Sequence, residues 1–522
     1  MLSISNEYKQ AIYAPSRMVK VRVTFDISEL TLDDDVVTTN TSSEFIISDK
    51  QQLTDKQREN TFNYATLEDD RFKLDGSFSF ADENINNNKI VGWCSEKLSD
   101  NDGVFQENLL LTFNFNKFHS SGGITISFDV INNEYATDFE VQAFNNELLV
   151  LKVEVVDNQD ARSIIFDEFS NFNKIQVIIK KWSKPNHRAR VAEVDFGITQ
   201  VYTDEKLVSC SLVEEVDLMS STIPVSEFTF TVENSDKAFN ILNPYGIYKY
   251  LQERQKIVAE LGVELENGII EYYPLCNFLL RDWISDEGSL TTTFTARTNL
   301  DLMETIDYEN EVAKLDYSLY QIAYDLFTMC GISNFEIDEN LLTVFTNGII
   351  SKTNCKEALQ MVAIAGCCTV IVTRENKIKL QQIKQIPNIV DEIDLENMYI
   401  DPQIQLEKAT KTVRVQFYED MENPDFVEVN KNNSQGDVLS LENNTLINSR
   451  EHALTVANWI SAVKNNRAIY TIDWRGNGAH ELNDIVSIEN IFGNSNRGII
   501  TKNQLNYEGY LSAITEARGE VN

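Results

Sequence analysis

The sequence predicts an α+β fold that is predominantly β: small barrels, one compact α+β unit and a jelly-roll-like β-sandwich. Three observations carry this. Short apolar–polar alternations recur along most of the 522 residues, separated by Asn- and Gly-containing turns. Helical spacing with a capping signal occurs at only a few places. The length suits roughly three to five domains. Gly and Pro are sparse, so no long flexible linker is declared.

The first element is a helix. Ile4, Tyr8, Ala11 and Ile12 recur at near-helical spacing, Ser5 can cap the start and Pro15 stops it. VKVRVTFDISEL then alternates as a half-buried strand. Residues 38–70 are polar and patternless, which predicts a long loop. ITISFDVI, DFEVQAF, ELLVLKVEV, KIQVIIKKW and RVAEVDFGITQVY follow as strands, with turns at Asn132-Asn133 and Asn145-Asn146. Regular short strands of this kind indicate a β-sandwich over about 62–202. LVSCSLVEEV and EFTFTVEN are further strands. In the next stretch Ile257, Ala259 and Leu261 face one way and Val258 and Glu260 the other. Asn267-Gly268 is a hairpin turn, and strands over 272–280 and 290–296 complete a small barrel or sandwich.

Helices return in SLYQIAYDLFTMCG, where Ser318 and Gln321 make a capping box and Gly331 a C-cap, and in NCKEALQMVAIAG, where Asn354 and Glu357 make a similar box and Gly366 the stop. With the strand–turn–strand CCTVIVTRENKIKLQQI they form a compact α+β unit over 317–393. The last part alternates strands with a helix begun by Ser449, whose Ala453, Val456, Ala457 and Ile460 share one face.

The formal net charge is −36, from 45 Lys+Arg and 81 Asp+Glu. It argues against direct nucleic-acid or anionic-membrane binding. It suits a partner with basic surfaces, a divalent cation, a passage that polyanions must traverse without sticking, or plain solubility. The seven cysteines are odd in number, lie in or beside apolar runs and form no CxxC pair, so they read as reduced and buried. The N-terminus has no secretory-signal pattern, and no apolar window reaches the ~18 residues of a membrane span.

No motif for nucleophilic, metal-dependent or phosphate-binding chemistry is present, so the expectation is no enzyme, no catalytic residue and no cofactor. His119, His187, His452 and His480 are isolated. Asp33-Asp34-Asp35 reads as a solvated loop. Asp82, Glu83, Asn84 and Asn86 to Asn88 carry oxygen ligands of the kind calcium takes, although an Asn-rich turn explains them too, so the metal question stays open. The sandwich offers the one candidate binding set: Trp182, Arg188 and Arg190, with Tyr135 on a loop. An aromatic platform beside polar forks suits a sugar, while a buried Trp with a satisfied indole explains the same residues. Trp93 reads as core.

The order of features carries a resemblance. A short helix and strand precede FTFTVEN…LNPYGIYKYLQERQKIVAELG and NFLLRDW. An α+β unit with CKEALQMVAIAGCCTVIVTRENKIKL follows, then HALTVANWI…NRAIYTIDWRGNGAHELNDIVSIEN, with Arg475-Gly476 ahead of Leu482-Asn483-Asp484. This resembles the central baseplate hub proteins of contractile phage tails, tailocins and related injection particles, and the first part of type VI secretion spike proteins. The resemblance covers residues 3–29 and 207–518. It implies hub-type barrels, a homotrimer whose paired barrels make a pseudo-sixfold ring, and a place in the tail baseplate after assembly in the bacterial host cytoplasm. It also implies tail tube, spike and other baseplate proteins as partners. The divisions that follow are 1–36, 203–305 and 401–522 for the two barrel domains, 306–400 for the α+β domain, and 37–202 for an inserted sandwich. With GWCS near its front and RVAEVDFGI at its end, that insertion is similar to discoidin-like, galactose-binding-like jelly rolls. The alternative reading is a tail-tip protein that recognises a cell-surface glycan through the sandwich.

Overall fold

The computed structural model describes the chain except residues 29–31, 33–34, 57–63, 75–77, 79, 81–90, 244–245, 286–287, 311–316, 383–387, 431–435 and 520–522. It is a β-rich α+β protein with four α-helices among the described residues. The chain divides into two compact units. One comprises Met1–Thr24, Val201–Lys249 and Lys256–Asn522; the other comprises Phe25–Gln200 and Tyr250–Gln255.

The larger unit is organised by one antiparallel ladder. Its order runs Val19–Ser28, Lys256–Glu264, Ile270–Ser285, Thr291–Arg297, Glu227–Glu233, Leu207–Glu215, Ser495–Tyr507, Leu511–Gly519, Ala468–Trp474 and Gln403–Leu406. The first six strands form one half of the sheet and the rest a second. Ile485–Glu489 adds to the second half by pairing with Ser495–Tyr507, and it carries Asp391–Ile393 in parallel. The sequence predicts two barrels; the structure joins them into a single sheet. Leu207–Glu215 pairs with Glu227–Glu233 on one side and with Ser495–Tyr507 on the other, from Cys210 opposite Tyr507 to Glu215 opposite Lys502. Each half thereby gives the other's edge strand its missing backbone partners, which removes two exposed edges.

Alternation places the core. Phe228, Phe230 and Val232 point inward from Glu227–Glu233. Phe228 stacks on Phe278, and Phe230 on Phe294, each at 5.0 Å between centroids. The turn at Gly268 has φ +79°, the left-handed backbone that this hairpin signal demands.

Helix α1 (Asn6–Tyr13) starts where Ser5 accepts the Tyr8 N–H. Helix α2 (Leu319–Met329) has the full reciprocal Ser318–Gln321 box and is followed by Gly331 at φ +68°. Helix α3 (Cys355–Ala365) has half of its predicted box: Asn354 accepts the Glu357 N–H, but the Glu357 carboxylate accepts the Thr353 hydroxyl. These two helices accompany a three-stranded sheet of Phe335–Ile337, Ile378–Gln381 and Thr369–Val372. Helix α4 (Arg450–Val463) buries Ala453, Val456, Ala457 and Ile460, the face read from the sequence.

The smaller unit is a sandwich. Its five-stranded sheet runs Val36–Thr41, Val104–Ser121, Phe169–Trp182, Ala136–Asn145, Leu148–Val155. Glu193–Asp195, Ile124–Ser127 and Arg162–Ile165 form a second sheet, and Arg188–Val191 pairs with Trp93–Leu98. Phe113, Val141 and Val177 from the large sheet meet Ile124, Ile126, Val194 and Trp93 in one core. Two differences from the sequence reading stand out. Val36–Thr41 is a strand that overlaps the start of the predicted loop; none of its residues is buried, so it shows no alternation, and its pairing with Val104–Ser121 defines it. Val104–Ser121 itself was not anticipated, because three register shifts against Phe169–Trp182 break its period.

Candidate functional site

Within the sandwich, the four predicted ligand residues share one neighbourhood, but they do not form an open platform. Trp182 ends the strand Phe169–Trp182 and is 1% exposed. Its Nε1–H donates to Glu134 Oε2 at 3.2 Å, and its ring sits edge-on to Phe128. Arg190 is buried, with Nη1 and Nη2 donating to the two Glu68 oxygens at 2.9 and 2.6 Å. Arg188 lies with its guanidinium 3.8 Å over the Phe45 ring and donates to the main-chain oxygens of Ser95 and Glu96. Tyr135 is half-buried against the core, and its main chain exchanges hydrogen bonds with Ser183. The Trp182 indole and the Arg190 fork are both engaged with interior partners, Glu134 and Phe128 for the first and Glu68 for the second.

What the residues build is a buried ion network. Arg71 pairs with Asp129 at 2.7 Å and Glu134 at 2.8 Å. Glu68 takes Arg190, the Arg188 N–H at 2.7 Å and the Thr66 hydroxyl at 2.6 Å. Burial alone raises the Glu68 pKa, but Arg190 and these donors override it and hold the carboxyl down at about 2. The network ties residues 66–71 to the strands. Sequence reasoning missed Glu68, Arg71, Asp129 and Glu134 because carboxylates are abundant throughout, and the partners lie 58 and 122 residues apart. The Asn-rich stretch with Asp82, and Asp33 and Asp34, lie outside the described residues. Asp35 accepts from the Lys117 N–H and pairs with His119.

The larger unit has its own buried centre, at the meeting of its two halves. The turn after Thr369–Val372, with Asn376 at φ +58°, projects Arg374. Arg374 is 2% exposed. It grips Glu214 of the first half at 2.7 and 2.6 Å. It also donates to the carbonyls of Leu275 (3.2 Å), Gly478 (3.0 Å) and His480 (2.9 Å). Its own N–H donates to Glu481. One planar, five-donor cation thus links the α+β hairpin, the first half and the second half.

The motif RGNGAHELND supplies a second set of ties. Gly476 has φ +81°, and a Cβ there would lie 2.8 Å from the Ala513 Cβ. Asn477 donates to Tyr13 and Asp391, and His480 meets Asp391 at 2.9 Å. Burial would raise the Asp391 pKa; His480, Tyr13 and Lys9 together hold it well below the carboxylate range. Asp484 and Glu481 receive the N-terminal ammonium of Met1. The motif therefore fastens α1 to the second half.

Burial pushes the thiols of Cys210, Cys276 and Cys367 up to about 12 and that of Cys94 to about 11. All seven cysteines are buried and free. His187 and His452 are hydrogen-bonded to main-chain oxygens. Among the described residues no group of three or more His, Cys, Asp and Glu has metal-binding geometry, and no helix is long and apolar enough to cross a membrane.

These features define a class: a β-rich body whose buried polar centres fix strands and loops in place. No family model matches the chain, and no curated protein matches it by sequence. Among solved structures, it is similar to a tail protein from Neisseria meningitidis MC58 (8% identity, 61% of this chain and 93% of that one, TM-score 0.43). It is also similar to the 43 kDa tail protein of prophage MuSo2 from Shewanella oneidensis (11% identity, 61% and 95%, TM-score 0.41). A third similarity, over 33% of this chain, is to chitosan-binding module 2 of a chitosanase/glucanase from Paenibacillus sp. IK-5 (14% identity, 99% of that chain, TM-score 0.20).

Proposed function

We propose that the chain is a structural baseplate hub of a phage tail or phage-tail-like particle. In this reading it joins the sixfold tail tube to a threefold spike and anchors other baseplate proteins. The observation that carries the reading is the continuous ladder through Leu207–Glu215 and Ser495–Tyr507. Two barrel halves fused in one chain present two ring positions per copy, so three copies present six. Such a device has to hold its halves rigidly, and the Arg374 centre supplies that rigidity. The sandwich braces a neighbouring baseplate protein. The excess of carboxylates, −36 overall, lines the central passage and keeps DNA phosphates from sticking.

The test is the native mass of the purified chain. Three copies in a closed assembly support the hub; a stable monomer at all concentrations, with turnover of a small molecule, overturns it. A neutral or basic passage in the assembled ring overturns the electrostatic part alone.

A further inference from the structure

The larger unit contains a cleft of about 850 Å³, lined by residues 15–20, Asp204, Leu207, Val208, Tyr399, Arg475 and the turn 507–511, which includes Glu508. Its floor holds two guanidiniums. Arg17 donates to the main-chain oxygens of Ile12 (2.8 Å), Gly476 (3.0 Å), Leu511 (3.1 Å) and Arg475. Arg475 donates to Ala14 O at 2.6 Å and Asn397 Oδ1 at 3.2 Å. All six acceptors are neutral. Among the described residues neither cation has a carboxylate partner, in a chain with 36 surplus negative charges. The nearby Lys20 is already paired with Asp204.

Burial, and then the charge of Arg475, lower the Arg17 pKa to about 10. Two half-buried like charges facing one cavity repel each other, and an incoming anion relieves both. Arg17 has all four terminal N–H groups committed. Arg475 has five donors and uses two, leaving a fork for a carboxylate. The rim is of another kind: Met18, Tyr399 and Tyr510 are 52%, 51% and 60% exposed. A cationic floor under an apolar and aromatic rim fits a short peptide better than a bare ion.

We propose that this cleft receives a peptide segment of a neighbouring protein, placing an Asp or Glu carboxylate on Arg475 and an adjacent apolar or aromatic side chain against Met18, Tyr399 and Tyr510. That the neighbour is a particle subunit rests on the hub reading; the chemistry of the cleft does not. Nucleic acid is disfavoured as the occupant, because the field of a strongly acidic chain repels a polyanion, whereas a single carboxylate on a near-neutral segment feels the local pair within a Debye length of ~10 Å.

The experiment is calorimetric titration of the full chain at about 0.1 M salt with acetyl-Glu-Phe-amide, acetyl-Gln-Phe-amide and inorganic phosphate. The acidic peptide is expected to bind saturably, the Gln peptide and phosphate at least tenfold more weakly. Arg475→Gln, which keeps a donor for Ala14 O, is expected to weaken the acidic peptide at least tenfold. Tyr510→Ala, on the exposed rim and clear of the hydrogen-bond wiring, is expected to weaken it about threefold; melting curves establish that both variants are folded. Equal binding of phosphate and peptide, unchanged binding by Arg475→Gln, or no saturable binding up to about 5 mM overturns the proposal. None of these outcomes depends on the native mass, so the cleft and the hub reading fail separately.

Discussion

Arg374 in the larger unit and Arg190 in the sandwich are both buried guanidiniums forked onto a carboxylate, yet they hold very different amounts of the molecule. Arg374 adds three main-chain carbonyls from two other segments to its Glu214 partner. Among the described residues Arg190 adds only the Arg188 carbonyl, two residues away. The first is a joint between distant segments of one unit and the second a clip on a loop. A buried ion pair is weak evidence for stability in itself. Its use is to fix one arrangement, and how much it fixes depends on how many separate segments converge on the cation.

Arg374→Met strands Glu214 and three buried carbonyls, so denaturant unfolding of the larger unit is expected to lose about 3–5 kcal/mol. Hydrogen exchange is then expected to rise in both halves. Adding Glu214→Leu should recover much of the loss; if exchange rises in one half only, Arg374 is no joint.

Arg190→Met strands Glu68, which keeps the Thr66 hydroxyl and the Arg188 N–H. The expected loss is about 3 kcal/mol, and limited proteolysis should cut near residues 66–71 while the larger unit stays intact. Cleavage spread over both units would erase the distinction.

Acid separates the two next. The Glu68 pKa is depressed from its usual 4.5 to about 2. Its contribution is therefore fully present above pH 4.5 and is lost as pH falls from there through about 2. Sandwich stability, followed by the fluorescence of buried Trp93 and Trp182, should fall across that window, with a weaker dependence in Arg190→Met. A flat profile in the wild type would remove the clip.

The smallest effect is that of Trp182→Phe, which deletes the indole donor to Glu134 but leaves Arg71 on that carboxylate. About 1 kcal/mol is expected in thermal melts. A change in glycan binding with no change in stability would support the sugar reading of Trp182, Arg188, Arg190 and Tyr135.

What was legible in the sequence follows from the range of the interactions. The Ser318–Gln321 box, the buried face of α4 and the Asn267-Gly268 turn depend on neighbours within a few residues, and each was read correctly. Val36–Thr41 and Val104–Ser121 depend on each other across the chain, and a polar edge strand or an irregular register leaves no period to find. Arg374 lies in TVIVTRENK, where the only local signal is a turn; its partners are 99 to 160 residues away. The RGNGAHELND motif was visible as a motif, but its work, fastening α1 and receiving the amino group of Met1, emerges only when both ends of the chain meet.

The most direct measurement is a reconstruction of the assembled particle without imposed symmetry. A hub of this kind places three copies on the tail axis, with six barrel halves alternating around one ring layer, two from each chain joined through Leu207–Glu215 and Ser495–Tyr507. A chain lying off the axis, or one whose two halves occupy different layers, would contradict it.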